Sequence, residues 1–426
     1  MVRVAHLKFP FFAIMRVMKT FVRIRKSSVS LAASAWAAVA VAAGPGTFFE
    51  PTAGTANAVA DVRAQTNAAV HRTVAFLGGS ITEMNGYRPL VMKALRAKFP
   101  DVAFTEIAAG LSSTCSDAGA FRVDEAVLSQ GLPDLFIVEF SVNDEQDGHF
   151  GRARCIRGME GVVRHVREAN PRCAVVVGLT VNKDQFDLIR RGGMPVSYAA
   201  HAAVAKRYGA ALADVGSALA ASAAAGGLDW TGYRDCHPSP EGCQFAARVF
   251  EKAIDRVFDP HAEAVPQPLP APLDTASYFR SAPVPPRCVT AADGGWRREI
   301  PDWNAVPGNM RVPYRKGAIW WSDRAGATLD IAFEGTTLAA FVTAGPDAGD
   351  LEVAIDGGSP RRVRLRADYG DLHYPYVEIL ADDLPRGRHH ARLRVLAADR
   401  NGSTGTTVRL HRLYANGGAE ASVSRF

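Results

Sequence analysis

The 426-residue chain contains only six cysteines, and none stands in a C-x-x-C pair. Without such pairs or a His/Cys cluster at metal-ligand spacing, a zinc finger or dithiol redox centre is excluded, and no metal is implied. Glycine-rich phosphate signatures are missing too. Neither G-x-x-x-x-G-K-[ST] nor G-x-G-x-x-G occurs, so no nucleotide cofactor is implied. Charge of one sign is scarce once its position is considered. The formal +6 comes from residues 1–58, which hold seven Lys/Arg and one acid, Glu50; the remainder carries 42 basic and 42 acidic residues. A neutral body offers no electrostatic footprint for nucleic acid or an anionic membrane surface. With 48% hydrophobic and 22% charged residues, the composition also excludes a mainly disordered, collagen-like or multi-spanning chain. A folded, soluble chain with material for one large or two ordinary domains is left.

The N-terminal 58 residues read as a leader. A basic stretch (Lys19–Lys26) precedes an uncharged run (Ser27–Phe49) with an apolar centre at Leu31–Ala43, and Ala56-Asn57-Ala58 follows. That order is what a secretory signal peptide requires, because the apolar turn enters the membrane and the peptidase accepts small side chains. The expected location is periplasmic or extracellular. The alternative is an uncleaved membrane anchor, against which an Ala-rich centre shorter than the ~20 residues of a spanning helix argues. Met18 is an alternative start. Outside the cytoplasm disulfides are permitted, and Cys236 and Cys243 bracket a short loop as either a bridge or two free thiols.

Residues 59–260 alternate apolar runs with amphipathic stretches. TVAFLGG (73–79), VAFTEIAA (102–109), DLFIVEFS (134–141), CAVVVGLT (173–180) and AALADVG (210–216) predict strands covered on both faces by helices, hence a doubly wound parallel α/β sheet. Residues 261–286 are proline-rich, a linker or a strap along the surface. From 287 to 426, short alternating runs such as TLDIAFEG and LEVAIDGG predict an antiparallel β-sandwich of about seven or more strands. Its aromatics Trp296, Trp303, Trp320, Trp321, Tyr369, Tyr374 and Tyr376 are either sugar-stacking or core and interface residues. Asn401-Gly402-Ser403 is a glycosylation sequon by pattern only.

In a doubly wound sheet ligands bind beyond the carboxyl ends of the strands. The first strand runs into Gly78-Gly79-Ser80-Ile81-Thr82, placing a serine hydroxyl at the sheet's open edge; a helix cap would use the same residue type. The second ends in Ala109-Gly110-Leu111-Ser112 and the third in Ser141-Val142-Asn143-Asp144. A glycine amide and an asparagine amide there can aim donors into one cavity, as an oxyanion hole requires, although both are also ordinary turn residues. Near the domain's end stands Asp235-Cys236-His237-Pro238-Ser239-Pro240, with Ser239 and Pro240 starting the last helix and His237 in the loop before it.

GGSIT, the glycine of AAGLSS, the asparagine of SVND and the histidine of DCHPSPEG together resemble the four blocks of the SGNH or GDSL hydrolase superfamily, over roughly residues 72–258. FLGGSIT, GAFRVDEAV and PDLFIVEFSVND are similar to one secreted branch of it. The resemblance implies a flavodoxin-like sheet and ester hydrolysis without metal or cofactor. It assigns Ser80 as nucleophile, His237 as general base, and the Ser80 and Gly110 amides with the Asn143 side chain as oxyanion donors. Two positions depart from the pattern. Gly79 replaces the usual Asp, and Arg234 stands three residues before His237 where the triad carboxylate is usual. Asp235 is the favoured acid, with Asp229 or a main-chain carbonyl as alternatives. The expected function is an exported serine esterase acting on short acyl, above all acetyl, esters of a glycan or other small ester. An O-acyltransferase using the same site and a noncatalytic glycan-binding protein with a degenerate hydrolase fold are the alternatives. The oligomeric state is not legible.

Overall fold

The computed structural model describes residues 70–291, 293–310, 315, 317–365, 369–398 and 405–417. The leader and the Asn401 sequon lie outside the described residues. Among the described residues, no helix is long and apolar enough to cross a membrane.

Five parallel strands form the first sheet: β1 (Val70–Gly78), β2 (Val102–Gly110), β3 (Leu135–Glu139), β4 (Ala174–Leu179) and β5 (Ala211–Asp214), in the order β2-β1-β3-β4-β5. All of β3 and most of β4 are buried, as near-continuous apolar runs require when helices cover both faces. The order is the flavodoxin-like one, and it reverses between β1 and β3. At that switch point the two chains leave the sheet in opposite directions and open a crevice at the carboxyl edge. The residues leaving β1 and β3 there are Gly79-Ser80 and Ser141–Asn143.

Residues 260–280 are a strap. The buried Glu160 carboxylate on helix Arg152–Ala169 accepts the main-chain amides of Leu273 (2.6 Å) and Asp274 (3.0 Å) and the Ser277 hydroxyl (2.6 Å), while Arg164 donates to Pro270 O at 2.7 Å. Prolines cannot donate to a ladder, so this segment is held by side chains reaching out from the helix beneath it.

The second domain pairs two sheets, antiparallel apart from one parallel edge pair, Leu372–His373 with Asn309–Met310, in the first of them. That sheet centres on Thr337–Ala344, flanked by Leu372–Ala381 and Val408–Asn416; the other holds Thr328–Gly335, Gly387–Val395, Asp350–Ile355 and Arg361–Arg364. The outer sheet shows the period-two burial of a half-solvated sheet, with Arg392–Asp330 (2.8 Å) and Arg394–Glu352 (2.7 Å) pairs on its wet face. Thr337–Ala344 is instead buried at all eight positions. Its alternate residues serve two cores: Leu338, Ala340, Val342 and Ala344 fill the sandwich, while Ala339 and Phe341 join the core of the α/β domain. Tyr414 and Val377 join them there, and Phe121 stacks on Tyr278 with centroids 5.0 Å apart. Arg157 ties Asp274 and Asp382, each at 2.8 Å. Apolar packing continues from one domain into the other, which fixes the sandwich relative to the first sheet.

Most of the aromatics considered for sugar stacking are not on the surface. Trp296, Tyr374 and Tyr376 are buried; Trp303, Trp320 and Trp321 are half-buried, Trp321 beneath the Arg297 guanidinium at 3.7 Å. Only Tyr369 of the seven is exposed, at 38%. Of the two readings open from the sequence, core and interface fits most of them: Trp296, Trp320, Tyr374 and Tyr376 pack in the sandwich and Trp303 against the core of the α/β domain.

Candidate active site

Ser80 opens the short helix Ser80–Glu83 at the end of β1, and its Oγ lies 2.7 Å from Nε2 of His237. The two residues are 157 positions apart. His237 is placed by the start of helix Pro240–Ile254: Ser239 accepts the Gly242 amide at 3.0 Å and donates to Gly232 O at 2.6 Å, and Pro240 sits at the first helical position. With cap and proline fixed, the preceding loop has one exit direction.

Asn143 lies on helix Ser141–Gln146 after β3, 4% exposed. Its amide covers Gly79, the residue before the serine: a Cβ built on Gly79 would stand 2.2 Å from Asn143 Oδ1. Gly79 has φ −84°, so the glycine is required for space and not for backbone conformation. Nδ2 of Asn143 donates to Asp147 Oδ2 at 2.6 Å, one turn along. Gly110 is equally crowded, since a Cβ there would fall 2.3 Å from the Glu83 amide nitrogen. The structure thus brings Ser80, Asn143 and His237 together and packs Gly110 against the Ser80 helix.

Asp235 is placed differently from the orienting role expected of it. Its Oδ1 accepts the main-chain N–H of His237 at 2.5 Å and stands 3.9 Å from Nδ1 of the ring, beyond hydrogen-bond distance. Asp235 and His237 are about half exposed, and Arg234 beside them has φ +89°, uncommon for a bulky residue and a source of strain in this loop. The Cys236 thiol, pushed up to about 11 mainly by burial and next by Asp235, is nearer Nδ1, at 3.6 Å. Asp229, the alternative acid, caps helix Trp230–Tyr233 by accepting the Gly232 amide at 3.0 Å. Cys236 and Cys243 are free thiols, as are the other four cysteines. Asp235, Cys236 and His237 place donor atoms within 4.8 Å of one another, and a cation there would compete for the imidazole that contacts Ser80.

Two buried charges support the site and were not singled out for a role from the sequence. Arg122 donates to Gly78 O (3.1 Å) and Ala109 O (2.7 Å), tying together the ends of β1 and β2 that lead to Ser80 and Gly110. Glu139, wholly buried at the end of β3, accepts from Thr82 Oγ1 (2.7 Å), Thr180 Oγ1 (3.0 Å) and the Gly79 and Thr82 amides; burial pushes it up to about 7 against these hydrogen bonds. A carboxylate inside the apolar run DLFIVEFS is itself the signal, because such residues are almost never fully buried without partners. A cavity of about 710 Å³ opens at the opposite, amino edge of the sheet, beside Arg72, Asp134 and Arg167, and contains none of the residues above.

Residues 76–245 match the GDSL-like Lipase/Acylhydrolase family. The match spans 170 of the 426 residues and lies wholly within the α/β domain, which is thus a GDSL-like acylhydrolase domain. Among solved structures, this acylhydrolase is similar to a two-domain esterase active on acetylated mannans, at 22% identity over 88% of this chain and 98% of that one, with a TM-score of 0.66, and 0.65 for the form co-crystallised with mannopentaose. An acetyl xylan esterase from Geobacillus stearothermophilus aligns at 20% identity over 44% of this chain and 96% of that one, TM-score 0.36. The first likeness extends the shared fold to both domains. No curated protein matches the acylhydrolase.

Proposed function

We propose that this ester hydrolase is an exported serine esterase that removes short acyl groups, above all acetyl, from a glycan. The observation that carries the reading is the 2.7 Å contact between Ser80 Oγ and His237 Nε2 at the switch point of the sheet, beside the Asn143 amide. His237 takes the Ser80 proton as Oγ adds to the ester carbonyl. The Asn143 Nδ2–H and the Ser80 and Gly110 amides hold the oxyanion. Collapse of the tetrahedral intermediate breaks the bond to the sugar oxygen, which leaves with the proton from His237. Water, deprotonated by the same imidazole, then releases the acid and restores Ser80. Asp235 holds the histidine loop through the main chain and opposes the imidazolium charge across 3.9 Å.

Short acyl chains are favoured because the loops after β1, β2 and β3 (ITEMNGYR, LSSTCSDAGAF, NDEQDGHFGR) are mostly small and polar, unlike the apolar groove a lipase needs. A glycan is favoured by the shared two-domain fold with an esterase that acts on acetylated mannans. The test is hydrolysis of p-nitrophenyl esters of increasing chain length and of acetylated mannan and xylan. Acetate should be turned over fastest, acetate should be released from at least one glycan, and Ser80→Ala should lose both activities while keeping its melting temperature. Undiminished turnover by Ser80→Ala would end the assignment of the nucleophile; faster hydrolysis of long chains would end the acetyl reading.

A further inference from the structure

The exposed aromatic of the β-sandwich reaches into the acylhydrolase site. Tyr369 Oη hydrogen-bonds Oδ1 of Asp147, and Oδ2 of the same carboxylate accepts Asn143 Nδ2 at 2.6 Å. We propose that Tyr369 is a positioning residue for the oxyanion donor Asn143, so that the second domain completes the catalytic site of the first. The inference rests on the reading of Asn143 given above.

An asparagine amide can face either way, and the two orientations differ only in what its neighbours accept or donate. A carboxylate beside it selects the orientation in which one Nδ2–H is held, because the flipped amide would set its own oxygen against Asp147. The second Nδ2–H is then left for the substrate oxyanion. This selection works only while the carboxylate keeps its own rotation. Within the α/β domain, Gln146 Nε2 approaches Oδ1 at 3.4 Å, a weak and exposed contact. Tyr369 adds a hydrogen bond to the same oxygen from the second domain.

The tyrosine is itself firmly placed. It starts a turn closed by the Leu372 amide on Tyr369 O at 3.1 Å, with Gly370 at φ +62°, where a glycine is needed. Its ring stands edge-on to the buried Tyr374 at 4.6 Å. Burial and the neighbouring Asp147 hold its hydroxyl far above the usual phenol range, so it stays protonated and able to donate. Because the apolar core runs unbroken through Phe341, Val377 and Tyr414, the turn keeps its position relative to Asp147.

The experiment is steady-state hydrolysis of p-nitrophenyl acetate by the full chain and its Tyr369→Phe, Asp147→Asn, Asn143→Ala and Tyr369→Phe/Asn143→Ala variants. Phenylalanine keeps the ring on Tyr374, so the fold should be retained, as melting curves would establish. Tyr369→Phe should lower kcat about tenfold with KM nearly unchanged, and Asp147→Asn by at least as much, since a loosely held group loses alignment with the reacting atoms. In the Asn143→Ala background Tyr369→Phe should have no further effect. Unchanged kcat in Tyr369→Phe, a change in KM alone, or an equal loss with and without Asn143 would each overturn the proposal. If Asn143→Ala itself left kcat intact, the oxyanion reading would fall instead, which separates the two failures.

Discussion

Gly79→Ala is the sharpest probe of the site. In this structure the Asn143 amide occupies the space that a side chain at position 79 would need. An alanine methyl would meet Oδ1 at 2.2 Å, Cγ at 2.8 Å and Nδ2 at 3.0 Å. Ordinary contact begins near ~3.4 Å, so the amide must withdraw by about 1 Å, and its anchor on Asp147 stops it from simply swinging aside. The backbone tolerates the change, since φ is −84°. A displacement of ~1 Å in a catalytic group lowers rates by about 10²-fold, and complete loss of an oxyanion donor by about 10² to 10³. Gly79→Ala should therefore reduce kcat for p-nitrophenyl acetate by about 10²-fold, roughly 2.7 kcal/mol in the barrier, with KM little changed. Overpacking should also lower stability by about 1–3 kcal/mol, well short of unfolding. The decisive measurement is the double-mutant cycle. Once Asn143→Ala has emptied the space, adding Gly79→Ala should change kcat by no more than about threefold. Wild-type kcat in Gly79→Ala, or two losses that multiply, would show that Gly79 does not act through Asn143.

Asp235→Asn should lower kcat by only about ten- to thirtyfold, because a half-exposed charge 3.9 Å from the imidazole contributes about 1–2 kcal/mol; a loss near 10⁴ would mean that the carboxylate closes onto Nδ1 during turnover. Glu139 has its folded pKa raised from the ordinary 4.5 to about 7, so its contribution to stability is fully present below about 4.5 and is lost as pH rises through 7. That loss is of the order of 3 kcal/mol, and Glu139→Gln should make the fall in melting temperature between pH 5 and pH 8 shallower; an unaltered slope would place the titration elsewhere, for example on Glu125, which burial also raises to about 7.

The five parallel strands were legible because burial on both faces leaves an unbroken apolar run, as in LFIVE (135–139) and AVVVGL (174–179), whatever the neighbours are. Ser80, Gly110, Asn143 and His237 were legible because a strand end followed by a helix start confines each to one edge of the sheet, and Ser239-Pro240 marks the helix after the histidine loop. Whether Asp235 faces the imidazole was not, since a shift of one residue in a loop is decided by main-chain angles such as the φ of +89° at Arg234, which composition does not encode. The aromatics of the sandwich were ambiguous for a related reason. Alternation says that Tyr374 and Tyr369 belong to strands or turns, but not that a second core lies on the far side of Thr337–Ala344. The core of the sandwich itself takes up Trp296, Trp320, Tyr374 and Tyr376, and only the packing of the two domains carries Tyr369 to Asp147, 222 residues away in sequence. Local sequence fixes periodicity and turn chemistry over a few residues; contacts between distant segments depend on the summed geometry of every element between them.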